Sequence, residues 1–255
     1  MADIQALAAI VDDAACGAKA IPQLSLRSAL TMDDAYAVQK AAIARRLQRG
    51  ETRVGVKMGF TSRAKMVQMG LSDMVWGRLT SGMVAEEGGP LRLSKYVHPR
   101  VEPEIAFLLK AELVGNVTPL QALAAVEAVA PAMEIIDSRY ENFKFSLEDV
   151  VADNCSSSGF VTGAWHAPDL DFSNLGLVMS FNGKAAQVGS TAALLGHPLR
   201  SLVAAARFAG EAGEPLRPGW IVMAGGATAA EALSAGTFVE MEMQHLGRVA
   251  FSVES

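Results

Sequence analysis

The segment VHPRVEPEIAFLLK, residues 97–110, decides the fold prediction for this chain of 255 residues. Its apolar run is typical of a β-strand, yet it contains Glu102, Pro103 and Glu104, residue types that strand interiors disfavour. Side chains alternate between the two faces of a strand, so we expect both glutamates on one face, ~7 Å apart along the backbone. Two carboxylates held this close repel each other unless one takes up a proton or a cation lies between them.

A divalent cation between the carboxylates is one interpretation of this pattern. Ligand sets made only of oxygen favour Mg²⁺, Mn²⁺ or Ca²⁺ over zinc. Two ligands on one strand need a third from elsewhere, and Glu134 in PAMEIIDSRY is the best candidate, because it also interrupts a short apolar strand. The alternative is a solvent-facing side of a sheet, which we favour for the same spacing at Glu240 and Glu242. Spacing alone leaves both interpretations open for Glu102 and Glu104.

The composition argues against several classes of protein. The chain is 51% hydrophobic and 19% charged, which supports a sizeable core rather than disorder. Its net charge is −5, and it lacks the basic cluster that nucleic-acid binding needs. The N-terminal segment lacks the basic start of a signal peptide, and no run reaches the ~18 apolar residues of a membrane span. Cys16 and Cys155 form neither a disulfide framework nor a zinc site. We therefore expect a soluble cytoplasmic protein.

Helical signals concentrate in the first half of the chain. Apolar residues recur at helical spacing over residues 4–15, and Thr31 is a candidate N-cap for a second helix. The segment TPLQALAAVEAVA has Thr118 as a candidate N-cap, followed by proline and, three residues after the cap, glutamine. These are the parts of a capping box, and they predict a helix that stops before Pro131.

The second half of the chain carries mainly strand signals. Asn182-Gly183 between two extended stretches predicts a hairpin with a type I′ turn. The order of elements predicts an α+β fold. We expect a smaller, mostly helical part over residues 1–80 and a β-rich, metal-binding catalytic part over residues 81–255. The same pattern also allows the two parts to form one continuous domain.

Five segments together point to a known family. In chain order they are GVKMGFTSRAKMVQMG, WGRL, HPRVEPEIAF, AMEIIDSR and DNCSSSGFV, and they lie within residues 55–161. With these motifs the chain resembles the 2-hydroxypentadienoate hydratase and 4-oxalocrotonate decarboxylase family, within the wider fumarylacetoacetase-like superfamily. The resemblance implies a fumarylacetoacetase-like fold, with a helical N-terminal part and a β-rich catalytic part.

The resemblance also implies roles for individual residues. Family members bind Mg²⁺ or Mn²⁺ through the glutamates that correspond to Glu102, Glu104 and Glu134. The lysine of the G-x-K-x-G segment, Lys57 here, is implied to be catalytic. A serine after the Asp-Asn pair is implied to bind substrate, and within the SSS run Ser156 is the best match.

One departure from the family pattern separates its two activities. In the hydratase pattern an aspartate stands before the aromatic-glycine pair, and here Val75 takes that place before Trp76-Gly77. Val75 therefore favours decarboxylation over hydration and would line the substrate site, although Asp73 could supply a carboxylate instead. Arg78 and Arg139 are possible anchors for a substrate carboxylate, or else structural ion-pair residues.

The resemblance is closest to the decarboxylase branch, a group of carboxy-lyases. It implies metal-dependent decarboxylation of 2-oxohex-3-enedioate to 2-hydroxypenta-2,4-dienoate and CO₂, in the meta-cleavage catabolism of aromatic compounds. The alternatives are the sister hydratase and a catalytically silent subunit of that hydratase. The branch also implies a complex with the hydratase, and neither nucleic acid nor membrane is an expected partner. A C–C hydrolase would need a His–Glu pair, for which the sequence offers no convincing candidate.

Overall fold

The computed structural model describes residues 2–68 and 70–255. Its α-helices are α1 (Ile4–Cys16), α2 (Met32–Gln48), α3 (Arg63–Gln68), α4 (Pro119–Ala124), α5 (Leu147–Ala152) and α6 (Leu199–Glu211). Its strands are β1 (Arg53–Gly59), β2 (Val75–Thr80), β3 (Pro90–Arg92), β4 (Arg100–Leu109), β5 (Val126–Ile136), β6 (Ser157–Thr162), β7 (Gly176–Phe181), β8 (Lys184–Ser190), β9 (Ile221–Met223), β10 (Glu231–Ala232), β11 (Phe238–Met243) and β12 (Gly247–Glu254). The predicted mixture of helices and strands is confirmed.

The strands form two sheets. The larger sheet has the order β2-β1-β9-β4-β5-β6, with β10 also paired to β4, and the smaller sheet has the order β3-β12-β11-β7-β8. Strands β11 and β12 pack against β5. One buried cluster joins the sheets, with Phe107 and Val129 from the larger and Met241 and Phe251 from the smaller. The opposite face of the larger sheet includes Ala106, which packs in a separate cluster with Ile43 of α2.

The prolines of the central strands lie where the sheet tolerates them. Proline has no N–H to donate to a strand ladder. Pro103 of β4 lies between the short pairing with β10, which ends at Val101, and the pairing with β9, which begins at Ala106. Pro131 of β5 lies one residue before the segment that pairs with β6. Both prolines therefore fall in gaps on one side of their strands.

The predicted helix before Pro131 is wrong beyond its first turns. Thr118 forms the expected capping box, but α4 ends at Ala124 and β5 runs on through Pro131. The residues from Val126 onward are almost all buried and pair with β4 along their length. Tertiary pairing with β4 thus outweighs the alanine-rich helical propensity of this segment.

The first two helices, α1 and α2, begin directly after residues whose side chains cap them. Thr31 caps α2 in a capping box with Asp34, and Asp3 caps α1. Buried Asp12 of α1 forms salt bridges with Arg45 of α2 and with Arg49, the C-cap residue of α2, and these join the two helices. Strands β1 and β2, which precede residue 81, belong to the larger sheet. The division of the chain near residue 80 stays a prediction.

The predicted hairpin at Asn182-Gly183 is confirmed. Phe181 pairs with Lys184 across the turn, and both turn residues have positive φ, 50° and 77°. This is the backbone that a type I′ turn requires and that asparagine and glycine tolerate. Among the described residues, no helix has the length and apolar character that a membrane span requires.

A cluster of charges joins α2, β1 and β2 to the loop after α6. Glu214 accepts salt bridges from Arg78 at 2.8 Å, Arg53 at 3.0 Å and Lys40 at 3.1 Å. Burial opposes ionisation of Glu214, but hydrogen bonds and charge from Arg78, with help from Arg53, outweigh it and lower the pKa of Glu214 to about 2. A carboxyl with a lowered pKa stabilises the fold above its ordinary pKa, and the contribution is lost as the pH falls.

We expect Glu214→Gln to lower the free energy of unfolding at pH 7 by about 3 kcal/mol. Urea titrations of the wild type and the variant at pH 7 and pH 3 measure this difference, which should shrink at pH 3. The matched control is Glu211→Gln, since Glu211 is an exposed residue that forms a salt bridge with Arg207 on the same helix. A difference that does not depend on pH would contradict this account.

Candidate active site

Three carboxylates converge on the face of the larger sheet that is turned away from the smaller sheet. Glu102 of β4 lies opposite Glu134 of β5, and Glu104 lies opposite Ala132. Opposed residues of an antiparallel pair project on the same face. One carboxylate oxygen from each glutamate lies within 4.8 Å of the others, and Glu104 and Glu134 are fully buried. The E-x-E spacing therefore produces a convergent cluster and not an exposed surface.

Lys57 of β1, which β9 separates from β4 in the sheet, also contacts this cluster. Its Nζ lies 2.9 Å from Oε2 of Glu134. Burial opposes the charged form of Lys57, but Glu134 and the other two carboxylates outweigh it and raise the pKa of Lys57. Burial, followed by repulsion from Glu134, raises the pKa of Glu104 well above its ordinary value. The site thus holds one ammonium group among three acids that repel each other.

A glycine pair after β9 holds two of the carboxylates in place. The backbone N–H of Gly225 donates to Oε2 of Glu104 at 2.7 Å. Gly226 passes so close to Glu102 that a Cβ there would lie 2.1 Å from its Oε2. Any larger residue at position 226 would displace the carboxylate. The AGGATAA segment, residues 224–230, therefore shapes the acidic cluster.

A cavity of about 330 Å³ opens beside the carboxylates. Its lining includes Lys57, Glu102, Val75 and Ser156, all of which the sequence singled out. The other described lining residues are mainly apolar or small: Met58, Gly59, Phe60, Thr61, Arg100, Ile136, Phe143, Phe145, Val150, Cys155, Gly226, Ala229 and Ala230. None of the described lining residues is a histidine or an aspartate. The cavity thus combines one acidic end with a largely apolar body.

The structure distinguishes between the serines of the SSS run. Ser156 lines the cavity, and its Oγ is buried without a hydrogen-bond partner among the described residues. Ser158 instead lies beside Arg139 and forms a hydrogen bond with its guanidinium. Asn154, Cys155 and Ser156 all have positive φ, between 50° and 59°, which turns the chain sharply before β6. Of these two serines, Ser156 is therefore the one whose side chain lies at the cavity.

Three other polar candidates lie outside the cavity. Arg78 is buried in its salt bridge with Glu214, and Arg139 pairs with Asp153 at 2.5 Å. Asp73 forms a salt bridge with Arg207 on α6 at 2.7 Å and does not line the cavity. Both arginines therefore stabilise the fold. Asp73 is not placed to substitute for the acid that Val75 replaces.

Sequence reasoning missed several residues of the cavity wall. Phe143 and Phe145 come from the irregular segment between β5 and α5. This segment has no periodic pattern from which their positions could be predicted. Arg100 lies two residues before Glu102, so the period of the strand could have placed it on the same face. Cys155 also lines the cavity, but burial raises the pKa of its thiol to about 12. A neutral thiol is a poor nucleophile.

Comparison with known proteins identifies the family. Residues 50–254 match the family described as fumarylacetoacetate (FAA) hydrolase C-terminal. The chain belongs to the fumarylacetoacetate hydrolase family. Within it, the chain is 61% identical over 249 residues to a 4-oxalocrotonate decarboxylase from a Pseudomonas species, covering 98% of this chain and 97% of that protein. A 2-hydroxypent-2,4-dienoate hydratase from Pseudomonas putida is 37% identical, covering 72% of this chain and 85% of that protein.

A solved structure matches the fold over nearly its whole length. It is the 4-oxalocrotonate decarboxylase from Pseudomonas putida G7, complexed with magnesium and adipate. The TM-score is 0.95 at 39% identity, covering 98% of this chain and 97% of that chain. The fumarylacetoacetase-like fold expected from the sequence is thereby confirmed. The similarity to decarboxylases exceeds the similarity to the hydratase.

Proposed function

We propose that this chain is a metal-dependent carboxy-lyase. It converts 2-oxohex-3-enedioate (4-oxalocrotonate) to 2-hydroxypenta-2,4-dienoate and CO₂, a step of aromatic meta-cleavage catabolism. The observation that carries the proposal is the convergence of three carboxylates and Lys57 at one end of an otherwise largely apolar cavity. The higher identity to decarboxylases than to the hydratase supports the same choice.

The carboxylate cluster fits a divalent cation. Oε1 of Glu104 and Oε1 of Glu134 are buried without a hydrogen-bond partner among the described residues. Buried oxygens left in this state are costly, and a hard cation satisfies both them and the repulsion between the acids. Glu102, Glu104 and Glu134 would hold Mg²⁺ or Mn²⁺. When bound, the ion supplies Lewis-acid stabilisation of the negative charge that develops on the keto oxygen.

In this reaction the electrons of the bond to the lost carboxylate shift the double bonds of the substrate towards the keto group. The bond between C5 and the C6 carboxylate breaks, and C6 leaves as CO₂. Its electrons form the C4–C5 double bond, the old C3–C4 double bond moves to C2–C3, and the keto oxygen becomes an enolate. Protonation of that oxygen completes 2-hydroxypenta-2,4-dienoate. The protein must therefore stabilise an anion at the keto end while the charge at the other end disappears.

Three residues of the cavity have separate roles in this reaction. The Lys57 ammonium lies against Glu134 at the acidic end, where its charge stabilises the enolate and its proton is available to it. The Ser156 hydroxyl, buried and unpaired among the described residues, donates a hydrogen bond to the substrate. Val75 contributes an apolar wall where a hydratase would have an acid, so no carboxylate there activates water.

A spectrophotometric assay tests this function directly. The purified protein is given 2-oxohex-3-enedioate with Mg²⁺ and then with EDTA. We expect release of CO₂ and accumulation of 2-hydroxypenta-2,4-dienoate, both of which stop on chelation. Failure to use the diacid, together with hydration of 2-hydroxypenta-2,4-dienoate, would show that the chain is a hydratase. Failure with both substrates would favour a silent subunit.

Val75→Asp is expected to raise KM for the diacid at least about 10-fold, because it adds a carboxylate to a site that must accept a dianion. Val75 is 2% exposed, so a charge there is poorly solvated. Steady-state kinetics measure the change, and Val75→Ile is the control that keeps the wall apolar. An unchanged KM in Val75→Asp would show that the substrate does not approach this wall.

The proposed function extends to a partner and a location. We propose that the chain associates with a 2-hydroxypentadienoate hydratase, which would consume the product as it forms, and that it works in the cytoplasm, where Cys16 and Cys155 stay reduced. Size-exclusion chromatography of the two purified proteins, separately and mixed, tests the association. Separate elution of the mixture would count against it.

A further inference from the structure

We propose that Arg100 binds the distal carboxylate of the substrate and makes the enzyme selective for dicarboxylates. This inference rests on the proposed function, since it assigns the far end of the same cavity. Sequence reasoning named other arginines for this role, and both lie outside the cavity. Among the described residues, the cavity lining includes two cationic side chains, Lys57 and Arg100.

The position of Arg100 follows from the period of β4. Arg100, Glu102 and Glu104 alternate with buried Val101 and Pro103, so the three charged side chains share one face. Arg100 lies ~7 Å from Glu102 along the strand and about twice that from Glu104. A six-carbon diacid with its keto-acid end at the carboxylate cluster extends along this strand. Its second carboxylate then comes within reach of a long arginine side chain.

The two cations of the cavity differ in their partners. Lys57 is committed to Glu134 at 2.9 Å. The Arg100 guanidinium has no salt bridge within the described part of the chain, and its Cζ lies 4.8 Å from the centre of the Phe143 ring. Stacking on an aromatic face orients a guanidinium while leaving the N–H groups at its edge free to donate. The Phe143 ring thus orients the Arg100 guanidinium, and the N–H groups at its edge are available to donate hydrogen bonds to an anion.

The apolar walls strengthen this contact. Phe143, Phe145 and the small residues Ala229 and Ala230 line the same cavity and give it apolar walls. A charge-assisted hydrogen bond gains strength where water is excluded. Arginine also matches the planar carboxylate, since it presents two parallel donors.

The chemistry predicts how Arg100 acts on the kinetics. The carboxylate that it binds leaves as neutral CO₂, so the ion pair weakens as the C5–C6 bond breaks. An interaction of this kind stabilises the bound substrate at least as much as the transition state. Removal of Arg100 should therefore raise KM without lowering kcat in proportion. A residue that only supported the fold of the cavity would lower both binding and turnover for any substrate.

The test compares two ligands that differ only at the far end. 2-Oxohexanedioate and 2-oxohexanoate share the keto-acid group, but only the first has a distal carboxylate. Calorimetry with the Mg²⁺-loaded wild type should show about 10- to 100-fold tighter binding of the diacid. Arg100→Met should abolish this preference and leave the affinity for 2-oxohexanoate unchanged, and Arg100→Lys should restore part of it.

The outcomes separate this proposal from the proposed function. Arg92→Met, at an exposed arginine of β3, is the control and should leave both affinities unchanged. An intact preference in Arg100→Met, or an equal loss of affinity for both ligands, would overturn the role of Arg100. Calorimetry needs no turnover, so it tests the role of Arg100 even if 2-oxohex-3-enedioate is not decarboxylated.

Discussion

Glu104→Gln is expected to lower kcat/KM for 2-oxohex-3-enedioate by at least about 10³-fold and to abolish Mg²⁺ binding. Glu104 is fully buried, one of its oxygens accepts from Gly225, and the other has no partner among the described residues. An amide keeps the shape of this side chain but removes its charge. Lewis-acid stabilisation contributes several kcal/mol to reactions of this kind, and each 1.36 kcal/mol changes the rate tenfold.

The measurement has two parts, turnover and thermal stability. Mg²⁺ at about 100 times its Kd should stabilise the wild type by about 2.7 kcal/mol and raise its melting temperature. The same addition should leave the melting temperature of Glu104→Gln unchanged. Glu242→Gln is the matched control, because Glu242 belongs to a second E-x-E segment on an exposed strand face. Normal activity in Glu104→Gln would refute the metal site.

Lys57→Met is expected to reduce kcat by about 10²- to 10³-fold while Mg²⁺ binding persists. Methionine keeps the apolar stem of lysine and removes the ammonium that lies against Glu134. The enolate then loses a nearby positive charge and its proton donor. The cation should bind at least as tightly as before, because removing a positive charge makes the site more negative.

The metal-free and Mg²⁺-loaded forms of Lys57→Met should also differ in stability. Without the ion, Glu134 has lost its buried counter-charge, and we expect a loss of about 3–5 kcal/mol of unfolding free energy. Mg²⁺ should recover much of it. Lys184→Met, at the exposed start of β8, serves as the control. A variant with near-normal kcat would show that Lys57 only neutralises Glu134.

Local patterns in the sequence determined much of the fold. Capping boxes at Thr31 and Thr118 and the turn at Asn182-Gly183 depend on hydrogen bonds and dihedral angles within a few residues, so their outcome can be read from short segments. The alternation of side chains along a strand likewise places Glu102 and Glu104 on one face before any partner strand is known.

Tertiary structure decided what depends on contacts between distant segments. The stretch after Ala124 is strand and not helix because β4 pairs with it, and the same pairing brings Glu134 opposite Glu102. The salt bridge of buried Lys57 with Glu134 joins β1 to β5, which β9 and β4 separate in the sheet, so residue spacing could not predict it. Such pairings join residues far apart in the chain, where no local period can signal them.

The cavity shows the same division between sequence and structure. In the sequence, three glutamates interrupt apolar strands, where glutamate is a disfavoured residue type. Their positions therefore predicted the acidic end of the cavity. Only the fold shows that Phe143 and Phe145 form an aromatic wall of the cavity and that Arg78 and Arg139 lie outside it. Such positions depend on everything that packs around a residue. The sequence by itself thus determined which groups could do chemistry, and the tertiary structure decided which of them meet.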